Sequence, residues 1–394
     1  MAQHDSALDY RFTFGTRAAI WTAALMIPAL YFTLFVLALV MLGIVVGLFG
    51  GIFYFTYERP AIFRAMLLPM AGGVVVLNGV CSVLKSMFLF FRAPNGFEPA
   101  VWVNLDRETA LNAVIEDLCA RMNTAPPIAV LVHMGPVFSV MQGECTSLNA
   151  TPKGRILTVG LPLLSCLSVN EFRAILAHEF AHFTGQDTLY SAFVCRMMST
   201  MEHAYGHVYE SIPEQRGLIW LISVLPMKLP LWVLRAYFYL FSRIDMKTSR
   251  SREFRADAIA AKVCGKGSFA GALRKVYAFS PIFDPAILGI AEEILNSRHP
   301  DESPLRVYRK RIKEYIPVAE KVLEKELQIE SMPWDSHPTL TARLEALPNV
   351  PESFGDTANA LTLFKELPRY EKMTGDFLKN EYRRYRKSRY GMDR

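Results

Sequence analysis

Cysteine is scarce and scattered in this chain, with six residues among 394 and no CxxC pair. Zinc ribbons and dithiol redox sites need closely spaced cysteine pairs, and small secreted folds need a dense cysteine framework. The sequence therefore excludes these classes. We expect reduced cysteines that are mostly buried and form no disulfide.

A strong excess of charge of either sign is also missing. The formal net charge is only +6, and the mean hydropathy of +0.19 is high for a wholly soluble protein. This balance suits anionic lipid surfaces and predicts no nucleic-acid partner. The basic tail at 369–394 is interpreted as either a solvated helix or frayed end, or as a segment that contacts anionic lipid headgroups.

Charged side chains are absent from two long stretches near the N-terminus, Ala18–Tyr57 and Ala65–Leu84. As a single helix the first stretch would be about 60 Å long, roughly twice the hydrocarbon core of a bilayer, and the second has the length of one span. The first is therefore either a long helix that projects from the bilayer or a tight hairpin. We expect a transmembrane helical hairpin over 18–92, after a short polar N-terminus at 1–17 that lacks the pattern of a removable signal peptide.

One histidine pair, His178 and His182, has a glutamate, Glu179, directly after its first member. On a helix, residues four apart share a face, so both imidazoles can reach one zinc ion. Glu179 leans toward the same side, where it can hold and deprotonate a zinc-bound water. Ser168 and Glu171 predict a capping box at the start of this helix, as the chemistry requires a well-defined helix.

A second pair, His203 and His207, also lies four residues apart, in the helical segment Thr188–Tyr209. No glutamate follows its first member. The alternatives are a second metal site and two histidines on a helix surface, and we favour the latter.

Short β-rich runs at Ile128–Val132, Val137–Met141 and Arg155–Val159 predict a small sheet beside the HExxH helix. An extended peptide can add to the edge of such a strand and present a carbonyl to a metal. The fold class is thus mainly α with a small β-sheet, in a domain at 93–368. Its apolar insertion at about 217–241 is broken by prolines and charges. It is a re-entrant or interfacial segment, a pair of short membrane helices, or a part buried in the soluble domain.

A zinc ion held by HExxH needs a third protein ligand, and Glu253 and Asp257 offer carboxylates four residues apart on a predicted helix. Glu253 can ligate the metal while Asp257 accepts a hydrogen bond from a ligand histidine. The alternative is a solvated charged turn, because Arg252 and Arg255 stand alongside.

HExxH at 178–182 and ExxxD at 253–257, with apolar spans before the first motif, form a pattern that resembles the membrane gluzincins of peptidase family M48. This family includes the HtpX-like proteases and the CAAX prenyl proteases. The resemblance covers roughly residues 149–347, and the small number of predicted spans favours the HtpX-like branch. It implies a zincin-type α+β catalytic domain and a zinc metalloendopeptidase that acts on polypeptides.

The resemblance also implies a role for each matching residue. It implies one zinc ion per chain, bound by His178, His182 and Glu253. Glu179 would be the general base, and Asp257 would support a ligand histidine.

Four further positions match elements of the family outside the two motifs. By resemblance, Asp187 supports the zinc helix, and Asn149 and Ala150 belong to the strand edge that binds substrate. His337 matches a histidine that reaches the active site and helps to stabilise the oxyanion.

Arg343 is the candidate to assist His337. The chain contains another His-Pro pair at His299, but only His337 is followed by the Arg343-Leu344 pattern of the family.

These observations predict a membrane-bound zinc metalloendopeptidase for membrane-protein quality control or processing. Its expected partners are polypeptide substrates, membrane proteins among them, and the lipid bilayer. The expected location is a bacterial inner membrane with the catalytic domain on the cytoplasmic side. The alternatives are a CAAX-type enzyme that processes lipidated C-termini and a non-catalytic membrane scaffold that keeps the zinc site, although the intact Glu179 argues against a scaffold. The oligomeric state stays open.

Overall fold

The fold is given by a computed structural model of the chain. The described residues are 14–58, 70, 73–74, 76–81, 84–85, 95–183, 198, 201, 205–206, 209–210, 218–297, 301–330, 337–352 and 355–390. The chain forms two compact units. The sheet unit comprises Asn95–Thr188 and Ser249–Arg394 together with Met1–Tyr10, and the apolar unit comprises Arg11–Pro94 and Leu189–Thr248.

The described residues are mainly helical, with one small sheet, as the sequence predicted. In chain order, the helices are α1 (Phe14–Glu58), α2 (Thr109–Arg121), α3 (Leu161–Leu164), α4 (Val169–Ala181), α5 (Leu218–Cys264), α6 (Lys266–Leu295), α7 (Pro304–Lys310), α8 (Ile312–Gln328), α9 (Leu340–Glu345) and α10 (Leu367–Tyr390). The strands are β1 (Asn95–Phe97), β2 (Ala100–Val103), β3 (Ala129–His133), β4 (Phe138–Thr146) and β5 (Lys153–Gly160).

The sheet has five strands in the order β1-β4-β5-β3-β2. β4 is antiparallel to β5, β5 is parallel to β3, β2 is antiparallel to β3, and β1 is parallel to β4. Only two residues separate β1 from β2, although these strands lie at opposite ends of that order. The Leu148 backbone N–H donates to the Ala100 carbonyl over 2.8 Å and carries the β1–β4 ladder on toward β2. The sheet therefore curls until its two ends meet.

The core of the sheet unit lies between this sheet and the helices that follow it. The Phe172 ring of α4 is fully buried and contacts the rings of Phe138 in β4 and Phe364. Helix α5 ends at Cys264. Gly265 follows with a φ of +93°, a left-handed conformation that glycine adopts without strain, and α6 begins directly after it. This tight junction lets α6 fold back and pack against α4.

Helix α1 is one unbroken helix of 45 residues, about 67 Å long, so the long helix rather than a hairpin occupies the first uncharged stretch. Its segment Pro28–Glu58 is long and apolar enough to cross a membrane. One stripe of α1, with Leu34 and Met41, is buried in a cluster that also contains Leu234 and Phe241 of α5. The second uncharged stretch, Ala65–Leu84, is only partly among the described residues.

The apolar segment at 217–241 was expected to be interrupted by its prolines and charges, but the described part of it is one continuous helix. From Leu218 onward it forms the first part of α5, a single helix of 47 residues that runs through Pro226 and Pro230 to Cys264. Side chains such as Trp232 and Leu240 are more than half exposed. In the interior of a helix a proline removes one hydrogen bond, but it does not force the helix to end.

Candidate metal centre

Helix α4 carries the HExxH motif and begins with the predicted capping box. The Glu171 carboxylate accepts the Ser168 backbone N–H over 2.7 Å, and the Ser168 hydroxyl accepts the Glu171 N–H over 3.3 Å. A second contact holds Glu171, because Lys275 of α6 donates to its carboxylate over 2.7 Å. The helix that presents the histidines is thereby anchored at its N-terminal end.

Three side chains from two helices converge on one point. The Nε2 atoms of His178 and His182 are 3.3 Å apart. The carboxylate oxygens of Glu253 in α5 lie 3.5 Å from His178 Nε2 and 3.8 Å from His182 Nε2. A tetrahedral zinc ion with bonds of about 2.1 Å separates its ligand atoms by about 3.4 Å. The predicted ligand set therefore has the spacing that a metal ion needs, and these residues can hold one.

The charges around the three ligands also suit a cation. Burial alone would lower the pKa of His178, but the carboxylates of Asp257 and Glu253 outweigh it and raise that pKa to about 9, so this site favours a positive charge. His182 behaves in the opposite way: burial and the neighbouring His178 lower its pKa to about 3. A neutral imidazole with a free lone pair is the form that binds a metal.

Asp257 and Arg343 form the layer behind the ligands. The Asp257 Oδ1 atom lies 3.0 Å from His178 Nδ1, which orients the ring so that its Nε2 atom faces Glu253. Arg343 donates to both oxygens of Asp257, at 2.9 Å and 2.7 Å, and its Nη2 lies 3.3 Å from Glu253. Arg343 as a whole is 7% exposed. Arg343 thus balances the charge of two carboxylates that each contact His178.

Glu179 is partly buried on the side of α4 that faces β4. Burial and the charge of Glu253 raise its pKa to about 7, while the charge of His178 and the nearby Val140 backbone of β4 oppose the rise. A carboxylate with a pKa near neutrality can both accept and return a proton.

The edge of β4 beside Glu179 has backbone groups available for a further strand. The Cys145 N–H donates to Pro152 O over 3.1 Å, so Cys145 and every second residue before it bond toward β5. Val140 and Gln142 therefore direct their backbone groups away from β5. Among the described residues, β1 pairs with β4 only from Glu144 onward, and no strand covers this stretch.

His337 lies at the rim of the site. Its Nδ1 is 3.6 Å from Glu253 Oε1, and its side chain is 62% exposed. The neighbouring Glu253 carboxylate raises its pKa. Pro338 and Thr339 follow, and the Thr339 hydroxyl caps α9, the helix that carries Arg343 inward. His337 and Arg343 thus reach Glu253 from the same short segment.

The remaining predicted site residues lie elsewhere. Asn149 and Ala150 are in the β4–β5 connection, where the Asn149 side chain accepts the Trp102 backbone N–H over 2.7 Å. Within the described part of the chain, no hydrogen bond joins them to the histidine pair. Asp187 lies outside the described residues, and so do His203, His207 and His299.

One contact at the site was not predicted from the sequence. Arg255, which the sequence suggested as part of a charged turn, is buried at 6% exposure and donates from Nη2 to the Ala181 carbonyl over 2.9 Å. Its position between Glu253 and Asp257 is the only signal in the sequence that it lies near the zinc helix.

One known protein family matches the part of the chain that carries these side chains. The model for Peptidase family M48 matches residues 107–350, which is more than half of the chain and includes His178, Glu179, His182, Glu253, Asp257, His337 and Arg343. The chain belongs to peptidase family M48. The predicted family and the predicted metalloendopeptidase are thereby confirmed.

The relatives agree with this assignment. The chain is 25% identical over 249 residues to Protease HtpX of Pseudoalteromonas atlantica, in an alignment that covers 60% of this chain and 80% of the relative. Protease HtpX of Pasteurella multocida is 26% identical over 218 residues, with coverages of 53% and 71%. The crystal structure of S. mikatae Ste24p aligns with 16% identity and a TM-score of 0.35, over 80% of this chain and 66% of that one. The M48 family and the two HtpX relatives support a membrane metalloprotease.

Proposed function

We propose that this M48 protein is an integral membrane endopeptidase that holds one zinc ion per chain through His178, His182 and Glu253. The observation that carries the proposal is the convergence of the three ligand atoms at 3.3–3.8 Å, with the Glu179 carboxylate on the adjacent residue. A bound zinc ion would polarise the scissile carbonyl and lower the pKa of a water molecule.

Residues of the chain would provide proton transfer, substrate binding and stabilisation of the oxyanion. Glu179 accepts the proton of the attacking water and later gives it to the leaving amine, as a general base and then a general acid. Val140 and Gln142 accept the substrate as an extended strand along the edge of β4, which places its backbone beside Glu179. His337 lies at the rim of the site, where it can donate to the oxyanion.

The substrates that fit this arrangement are polypeptides that reach the bilayer surface, membrane proteins among them. The apolar unit supports this proposal, because α1 exposes large apolar side chains such as Phe32 and Phe53 that water does not stabilise. The HtpX relatives are bacterial proteases, so we place the protein in a bacterial inner membrane with its sheet unit on the cytoplasmic side, in quality control or processing.

The experiment compares full-length protein in detergent with the variant Glu179→Gln. We expect the variant to hold as much zinc as wild type and to cleave an unfolded reporter protein at least a thousandfold more slowly, because the general base is lost. The exposed Glu116 of α2 provides the matched control, and Glu116→Gln should cleave at the wild-type rate. Cleavage by Glu179→Gln at the wild-type rate, or wild-type protein without zinc, would refute the proposal.

A further inference from the structure

His182 stands at the C-terminal end of α4, because it follows the last helical residue, Ala181, as the C-cap. The carbonyl groups in the last turn of a helix have no partners within the helix, and helix ends open locally at low free-energy cost. His178 is held inside the helix and His182 is not. Metal binding at His182 therefore depends on contacts from outside α4.

Arg255 supplies one such contact. Its guanidinium donates to the Ala181 carbonyl from a buried position on α5. The same helix carries Glu253, the third ligand, and Asp257, which orients His178. A cation at a helix C-terminus is also favoured by the helix dipole. One turn of α5 thus contacts His178 through Asp257, and it contacts the residue before His182 through Arg255.

Arg155 of β5 supplies a second contact. Its guanidinium lies 4.8 Å from the centroid of the Phe183 ring, directly after His182. The arginine is itself fixed, because its Nη1 donates to the Thr124 hydroxyl over 2.9 Å and to the Ala125 carbonyl. The ring face attracts a cation placed over it, and this attraction weakens where water reaches the pair.

We propose that Arg255, supported by Arg155, is a positioning residue that holds the last turn of α4 and so keeps the His182 imidazole in the metal-ligand set. The inference rests on the proposed zinc site. Charge acts in the opposite direction, because a guanidinium near a divalent cation repels it. If Arg255 acted through its charge alone, its removal would tighten zinc binding, whereas a positioning role requires that removal weakens it.

The test measures the zinc dissociation constant of the full-length protein in detergent by competition with a chelator. Arg255→Gln should raise the dissociation constant about tenfold or more, the usual effect of losing a group that orients a ligand. Arg255→Lys keeps the charge and one donor, and it should fall between wild type and Arg255→Gln. At saturating zinc, kcat of Arg255→Gln should return to within a few-fold of wild type, which a general loss of folding would not allow.

The exposed Arg274 of α6 is the matched control, and Arg274→Gln should bind zinc as wild type does. Unchanged or tighter zinc binding by folded Arg255→Gln overturns the inference. If that variant does not fold, unchanged zinc binding by both Arg255→Lys and Arg155→Gln overturns it instead. If the variant His178→Ala held as much zinc as wild type, the proposed zinc site itself would be refuted. The two failures are therefore distinguishable.

Discussion

Arg343 contacts Asp257 and Glu253 at once, and both carboxylates contact His178. Removal of one partner from a buried ion pair costs about 3–5 kcal/mol, because the remaining charges lose their compensation. This energy is large compared with the total stability of an ordinary domain. The geometry therefore gives Arg343 a structural task in addition to the assistance to His337 that the family resemblance implies.

We expect Arg343→Met to lower the thermal stability of the zinc-free protein strongly and that of the zinc-loaded protein less. Zinc supplies the positive charge that the two carboxylates have lost, and it stabilises the folded state that binds it. Thermal unfolding with and without zinc measures the difference. Arg384→Met, at an exposed ion pair, should change stability by less than about 1 kcal/mol. If Arg343→Met lowered kcat but kept the melting temperatures with and without zinc, Arg343 would act only in stabilising the oxyanion.

His337 should behave differently from Arg343, because its side chain is mostly exposed at the rim of the site. A donor that acts on the oxyanion stabilises the transition state, so His337→Ala should lower kcat about a hundredfold with little change in zinc content. Steady-state kinetics and metal analysis of the same samples measure both. The comparison is His299→Ala, which should retain wild-type turnover, and the reverse result would exchange the two assignments.

The residues of the metal site were predictable where a helical spacing brings them together. His178, His182 and Glu253 follow from two motifs, each read as a helix. Arg255 lies in the second motif but contacts the end of another helix, and no spacing within α5 indicates which carbonyl it meets. Contacts of this kind depend on how α4 and α5 cross, which a local pattern does not contain.

At the scale of elements, α10 extends the sheet unit beyond the expected domain boundary at residue 368. Buried residues of its first half include Tyr370, Glu371 and Thr374, and Lys379 just after them is buried as well. The preceding turn is held by Glu108, whose carboxylate accepts the backbone N–H groups of Lys365 and Glu366 and the Tyr370 hydroxyl. The first half of the predicted tail is therefore packed against the unit.

Glu108→Ala should lower the free energy of unfolding by about 2–5 kcal/mol, because it leaves buried donors without an acceptor. Chemical denaturation in detergent, monitored by tryptophan fluorescence, measures the change. Glu366→Ala removes only exposed ion pairs with Arg107 and Arg369, so its effect should stay below about 1 kcal/mol. Equal effects of the two substitutions would show that Glu108 does not anchor α10.

The capping box made the start of α4 predictable to within a residue, while the bounds of other elements were not. β1 and β2 are short and flank Pro99, so neither has the alternating pattern that identifies a strand, and their pairing comes from residues far along the chain. In α5, Pro226 and Pro230 suggested an interruption. Packing of its apolar face, including Leu231 and Leu234, offsets the local cost of the prolines.

At the scale of the whole molecule, the exposed surface of the apolar unit decides where the protein can reside. Its exposed apolar side chains include Trp21, Phe32, Phe53 and Trp232, each about 70% exposed or more. In water such a surface would drive association, whereas in a bilayer it lies in its preferred solvent. The cysteines among the described residues are free and add no covalent constraint there.

We expect the full-length protein to remain in the membrane fraction after extraction with alkaline carbonate and to enter solution only with detergent. Carbonate removes proteins held by charge, but it does not expose a span such as Pro28–Glu58 to water. Immunoblots of pellet and supernatant give the result, with a peripheral protein as the released control. Full release by carbonate would contradict an integral anchor.

The edge of β4 beside Glu179, which no described strand covers, has a consequence for which chains are cut. A substrate that binds there as proposed lies as an extended strand, so a segment that is helical or already paired in a sheet has to unfold first. Every 1.4 kcal/mol of local stability in the substrate then slows cleavage about tenfold at low substrate concentration. Selection of damaged proteins would need no recognition motif, because the stability of the target segment itself sets its lifetime.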